Sequence, residues 1–218
     1  MTRNRDLYAE RRSFVCEDEA RVQSLILPDV IEETCDGIQS VPLMTKHFNA
    51  GKIFLSGEVT DAMADNFVAE MLYLAEKGDS VDIYINSHGG SVSAGLVIYD
   101  VLQTCSEKIE INLYCTGIAA SMAAIILAGG KKGNRFILPH SKVMIHEPLI
   151  PGGLGGSAST IKKTSDSILE TKNIIVGILA KHTGKEVEQI DEAISFDNYM
   201  NAEEAVEFGI CDEIRDIA

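Results

Sequence analysis

A chain of 218 residues, 45% hydrophobic and 24% charged, is long enough to bury one full core as a single domain with appendages. Its 19 Lys and Arg against 33 Asp and Glu leave a net charge of -14, which disfavours a nucleic-acid partner, since such a surface needs a basic stripe. The five scattered cysteines, Cys16, Cys35, Cys105, Cys115 and Cys211, lack zinc-site or redox-motif spacing and read as reduced thiols of a cytoplasmic protein.

Residues 1 to about 24 mix Arg3, Arg5, Arg11 and Arg12 with Asp6, Glu10, Glu17 and Glu19 and carry no apolar stretch, so they read as a flexible leader or partner-binding arm rather than a secretory signal. From Lys52 the pattern alternates. A β-rich run at Lys52–Gly57 leads into Asp61–Glu76, where Met63, Phe67, Met71 and Leu74 stand at helical spacing. The unit recurs as Val81–Asn86 with Val92–Gln103, and as Ile109–Cys115 with Ala120–Leu127. Such alternation predicts an α/β fold with largely parallel strands. Two more β-rich runs, Arg135–Leu138 and Lys142–His146, flank a turn at Pro139–Ser141. A glycine-rich stretch from Pro151 to Gly156 precedes a long helical pattern, about Ser157 to Lys181. The first half of that pattern offers only the narrow apolar stripe of Ile161, Ile168 and Leu169, which suits packing against another chain. Ala202–Phe208 reads as a helix stopped by Gly209, and Ile210–Ile214 as a last strand. The longest apolar runs, such as Ala123–Ala128, fall far short of the ~20 residues of a membrane helix, so no membrane partner is expected.

Four features carry chemistry. Asn86-Ser-His-Gly-Gly-Ser91 reads as a strand end and glycine turn that bares backbone N–H groups, or simply a tight turn. In Cys115-Thr-Gly-Ile-Ala-Ala-Ser-Met122, a turn glycine and two small residues lead to a serine at a helix start. There Ser121 is either a nucleophile, with the Met122 N–H facing a developing oxyanion, or a helix N-cap. Val143-Met-Ile-His146 ends an apolar strand in a histidine, fit for a general base or for a buried histidine bonded to a carbonyl. Asp197 lies in Ser195-Phe-Asp-Asn-Tyr-Met200, by default a solvated loop carboxylate. His47, His88, His140 and His182 give no metal-ligand spacing with His146, so no metal is expected.

In combination these residues resemble the Clp protease family, specifically its proteolytic subunits (ClpP). The order is Gly-Gly, Ala-Ala-Ser-Met, Met-Ile-His-x-Pro, then Asp before an Ala-Glu-Glu-Ala-Val-Glu-Phe-Gly helix. The likeness runs from about Leu27 to Ile214 and includes Leu27-Pro-Asp-Val-Ile-Glu-Glu-Thr34, Ile53-Phe-Leu-Ser-Gly-Glu-Val59 and His182-Thr-Gly-Lys185. It implies a crotonase-like spiral of β-β-α units with a protruding handle helix: residues 1–26 a leader, propeptide or axial arm, residues 27–218 a serine endopeptidase domain, the handle about 151–181. It further implies Ser121 as nucleophile, His146 as base, Asp197 as orienting acid, and Gly90 and Met122 as oxyanion donors. Gly152, Gly153 and Leu154 would pair with an extended peptide as an added strand.

The same resemblance implies self-assembly into two stacked heptameric rings that enclose the active sites. Unfolded polypeptides would be delivered by a AAA+ Clp-type ATPase, which uses the ATP, so this subunit needs no cofactor of its own. Tyr84, Tyr114 and Phe136 match the docking positions for that ATPase, whereas Asp82 and Arg215 stand where the family has aromatic and leucine side chains and would weaken docking. Other departures are His88 for proline, Ile118 for glutamine, the added Ile150 and Pro151, and Ser195 and Phe196 in place of charged residues. Two rival readings are a non-catalytic or regulatory ring subunit paired with an active paralogue, and a crotonase-fold acyl-CoA enzyme.

Overall fold

The computed structural model describes residues 27–34, 37–78, 80–149, 153 and 155–217. The expectations for residues 1–26, Ile150, Pro151, Gly152 and Leu154 lie outside the described residues. The chain divides into two units, Met1–Leu43 and Met44–Ala218. In the first, β1 (Asp29–Thr34) pairs antiparallel with β2 (Gly37–Pro42), from Asp29 opposite Pro42 to Thr34 opposite Gly37. The Ser40 hydroxyl donates to the Asp29 carboxylate at 2.8 Å. Ile31 and Ile38 are exposed, so this pair has no buried face and no inside-outside alternation in its sequence.

The larger unit follows the alternation expected. After α1 (Leu43–Asn49), β3 (Lys52–Val59) leads to α2 (Asp61–Lys77), β4 (Val81–Gly90) to α3 (Val92–Cys105), and β5 (Ile111–Ala120) to α4 (Met122–Ala128). The helix starts are set locally: the Thr60 and Ser91 hydroxyls accept from the N–H groups of Met63 and Ala94. Phe67, Met71 and Leu74 of α2 and Ile98 and Leu102 of α3 are fully buried with Ile83, Ile85 and Leu113 of the sheet. Each such side chain contributes about 1.5–3 kcal/mol through the water it no longer orders.

Strands β3, β4 and β5 are parallel neighbours, and beyond them the sheet forks. Leu113–Cys115 of β5 pairs with β6 (Arg135–Ile137), while Ile118–Ala120 pairs with β7 (Lys142–Ile145). β8 (Asn198–Met200) runs antiparallel to β7, and β9 (Glu213–Ile214) parallel to β6. The rest is helical: α5 (Ala158–Thr183), α6 (Val187–Ala193) and α7 (Ala202–Phe208). In α5 the buried residues are Ile175, Val176 and Leu179, all in its second half, in keeping with the narrow stripe of the first.

Two expected turns are strand instead. β4 continues through Ser87 and His88 to Gly90, because Ser87 and Gly89 extend the buried alternation of Ile83 and Ile85. Gly117 does not turn the chain; it sits within β5 because the strand goes on to pair with β7. Its missing side chain serves close approach: a Cβ there would lie 2.6 Å from Asn86 Oδ1, which accepts the Ile118 N–H at 3.2 Å. The helix expected from Ala120 accordingly begins at Met122, and the last strand is confined to Glu213–Ile214.

Candidate active site

The fork in the sheet brings the end of β5 beside the end of β7. Ala120 is in register with Met144, and the Ser121 N–H donates to the Met144 carbonyl at 2.8 Å. Ser121 itself has φ 54° and ψ -124°, the one non-glycine positive φ among the described residues. A side chain in that conformation is strained, and the surrounding pairing must hold it there. The result is a sharp strand-to-helix elbow that lifts the hydroxyl clear of the sheet. No capping hydrogen bond forms from Ser121 to α4, so the N-cap alternative does not describe this serine. Its Oγ lies 2.9 Å from His146 Nε2.

The residue just before antiparallel β8 supplies the third group. Ile145 faces Asn198, which sets Asp197 opposite His146. Asp197 Oδ1 stands 3.2 Å from His146 Nδ1 but off its hydrogen-bonding direction, so Nδ1 is buried without a hydrogen-bond partner. The His146 side chain is 15% exposed and that of Asp197 58%, so the base is sheltered and the carboxylate reaches it from the solvent side. Ser121, His146 and Asp197, far apart along the chain, are thus brought together.

A cleft of about 240 Å³ opens at the serine, lined by Gly90, Met122, Ile125, Met144 and Ile175 among others. Gly90 and Met122, the two expected oxyanion donors, both border it. Gly90 has φ 153°, and a Cβ there would meet the Val59 carbonyl at 2.3 Å, so no side chain fits. A second recess of about 480 Å³ also borders His146 and is lined by Leu149, Ile194, Phe196 and Asp197 among others. Phe196 is 86% exposed at its rim. Of the expected peptide-binding segment, Gly153 is described, exposed and at φ 80°. The cleft walls Ile125, Met144 and Ile175 were not singled out from sequence, because each reads as an ordinary core position of its own element.

The expected docking residues share one sheet face. Phe54, Tyr84, Tyr114 and Phe136 stand in register on four adjacent strands, with ring centroids 5.2, 5.2 and 5.0 Å apart. Phe54 extends the set, and its place in the period-two pattern of β3 was the available signal. Arg215 lies over Phe136 at 3.8 Å and donates to Glu213. Asp82 accepts from Asn112 at 3.0 Å. Burial, then the Asp82 charge, raises the pKa of Tyr84 and Tyr114; for Tyr114 the neighbouring Tyr84 adds to the rise and Arg215 opposes it.

Elsewhere, Cys105, Cys115 and Cys211 are free and buried. Burial pushes the Cys115 thiol up to about 11 and that of Cys211 higher still, so neither offers a thiolate nucleophile near neutral pH. Among the described residues no group of three or more His, Cys, Asp or Glu is placed to hold a metal ion, and no helix is long and apolar enough to cross a membrane.

Compared with known protein families, residues 36–218 match the model of the Clp protease family, and the chain belongs to that family. The α/β architecture described above is accordingly the crotonase-like fold of that family, and the chain is a peptidase of the Clp type.

Proposed function

We propose that this chain is the proteolytic subunit of an ATP-dependent Clp protease, a serine endopeptidase that cuts unfolded polypeptides inside a ring-shaped chamber. The observation that carries the reading is the 2.9 Å approach of Ser121 Oγ to His146 Nε2 at a strained elbow bordering an open cleft.

The chemistry follows from that placement. His146 Nε2 removes the hydroxyl proton as Oγ attacks the scissile carbonyl carbon, and the resulting oxyanion is met by the Gly90 and Met122 N–H groups. Each such donor is worth on the order of 3 kcal/mol in the transition state. The imidazolium then gives its proton to the leaving amine, and water repeats the cycle on the acyl-enzyme. Asp197, once aligned on Nδ1, holds the productive tautomer and stabilises the imidazolium. The segment around Gly152, Gly153 and Leu154 binds the extended substrate as an added strand.

The chain assembles as two stacked heptameric rings whose handle helices, here α5, interlock, and residues 1–26 act as a leader, propeptide or axial arm. A AAA+ ATPase docks at Tyr84, Tyr114 and Phe136 and consumes the ATP, so the peptidase subunit carries no cofactor; the compartment is the cytoplasm. Asp82 and Arg215 weaken the docking of an apolar partner loop.

The test is labelling with a fluorophosphonate probe together with turnover of a fluorogenic peptide. Both should be present in the native assembly and absent in Ser121→Ala. A second reading, a non-catalytic ring subunit beside an active paralogue, draws support from the missing His146 Nδ1 hydrogen bond. Intact rings that take up no probe would favour it.

A further inference from the structure

Helix α5 carries a lysine that touches both segments on which the base and the acid depend. Lys172 Nζ lies 3.1 Å from Glu147 Oε2 and 2.8 Å from Asp191 Oδ1. Glu147 directly follows His146, and its N–H donates to the Ile194 carbonyl at 2.8 Å, just past the end of α6. Asp191 belongs to α6, and its carbonyl accepts the Ser195 hydroxyl at 2.8 Å, two residues before Asp197. The Asn198 side chain, on the other flank of Asp197, donates to the Ala193 carbonyl at 3.2 Å. The two strand ends that present His146 and Asp197 are therefore both fastened to α6, and one ammonium holds that junction to the long helix.

An isolated exposed ion pair contributes little, but this arrangement differs in two respects. The Lys172 side chain is only 18% exposed, and it answers two carboxylates at once. Without it, Glu147 and Asp191, which lie within 3.1 and 2.8 Å of the ammonium, are left as neighbouring like charges, screened in part because their side chains are 42% and 53% exposed. Both carboxylates belong to segments that lead into His146 and Asp197, so loosening of this junction is felt at a contact already misaligned at 3.2 Å.

We propose that Lys172 is a positioning residue that sets the separation of His146 from Asp197 by clamping Glu147 and Asp191 to the handle helix. The proposal rests on the catalytic roles given above to His146 and Asp197. It makes the rate of peptide hydrolysis depend on α5, a helix whose first half is largely exposed.

The experiment compares native assemblies of the wild type, Lys172→Met, Lys172→Arg and Lys172→Met/Glu147→Gln by crystallography and by steady-state hydrolysis of a fluorogenic peptide. Lys172→Met should lengthen the distance between Nδ1 of His146 and the Asp197 carboxylate and lower kcat by about tenfold to a hundredfold with KM little changed, as expected of a displaced catalytic group. Lys172→Arg should recover most of the rate, and the double variant, with one carboxylate neutralised, part of it. An unchanged separation in Lys172→Met, or kcat within twofold of wild type, overturns the proposal, as does a loss expressed in KM alone. Should Lys172→Met not assemble, Glu147→Gln/Asp191→Asn, which empties the clamp without repulsion, must still lower kcat, and full activity there overturns it equally. A wild type that is inert while Ser121 takes up no probe defeats the peptidase reading instead, and the distance comparison still decides the clamp.

Discussion

A Cβ placed on Gly89 would stand 2.7 Å from the Cβ of Ser121 and 2.7 Å from the Ala120 carbonyl oxygen, so the elbow closes over a residue that has no side chain. Gly89 also holds φ 91°. Gly89→Ala therefore combines an unfavourable backbone conformation, costing about 1–3 kcal/mol, with a clash against the Ala120 carbonyl and the Ser121 Cβ, so the elbow must shift to admit it. The expected outcome is a lower urea midpoint and loss of fluorophosphonate labelling at Ser121. Full labelling with unchanged stability would show that the elbow is looser than its contacts indicate.

The strain at Ser121 gives a second prediction, which compares two inactive variants. Ser121→Ala and Ser121→Gly both lose the Oγ contact with His146, and each should lower kcat by about a millionfold if the serine is the nucleophile. They differ in backbone energy. Glycine relieves about 1–3 kcal/mol of strain at φ 54°, against about 0.5–1 kcal/mol for the greater freedom of its unfolded chain. Ser121→Gly should thus be the more stable by about 1 kcal/mol in chemical denaturation, whereas an alanine variant of equal or greater stability would remove the strained elbow.

The alternation from β3 to α4 was legible because Phe67, Met71, Leu74, Ile83 and Ile85 bury one face at the period of their element. Where residues do not alternate, the pattern was silent. β1 and β2 expose both Ile31 and Ile38, and α6 buries Ile190 alone. The glycines at 89, 90 and 117 resembled turn punctuation, yet they are small because other chain segments press on them. Ser121 and His146 are recognisable as candidates from their neighbours, whereas Asp197 reads there as a solvated loop carboxylate and gains a role only through the family resemblance. Their convergence depends on the β5–β7 and β7–β8 registers, which are long-range pairings that no local pattern encodes.

The row of rings yields a third prediction. Arg215 covers Phe136 at one end of the row, and Asp82 stands two residues before Tyr84 on β4. Arg215→Leu replaces a hydrated cation with apolar surface and should tighten binding of a hydrophobic loop peptide from a Clp-type ATPase by about tenfold, the effect of burying one aliphatic side chain. Titration by fluorescence anisotropy reads it. Equal or weaker binding by the variant would mean that Arg215 contributes to recognition instead of obstructing it.

The last prediction concerns pH and the packing behind the site. The His182 ring lies 2.9 Å from the Tyr99 hydroxyl, and its carbonyl accepts from Arg135, which is buried and paired with Asp212. Burial first, then the Lys181 and Arg135 charges, hold the His182 pKa down from 6.5 to about 4. The folded protein thus keeps this imidazole neutral where the unfolded chain would protonate it. Proton uptake by the unfolded chain favours unfolding, so the stabilisation is complete above pH 6.5 and is lost as pH falls toward 4. Because the ring is only half-buried, the loss should be on the order of 1 kcal/mol. Asp212 acts lower: burial alone would raise its pKa, but hydrogen bonds from Arg135 and Gly133 outweigh this and hold it below 3.8, so its stabilisation disappears only in stronger acid. Urea midpoints of the wild type should fall between pH 7 and pH 4.5, and those of His182→Gln should fall less. Equal slopes for the two proteins over that window would assign the acid sensitivity to other groups.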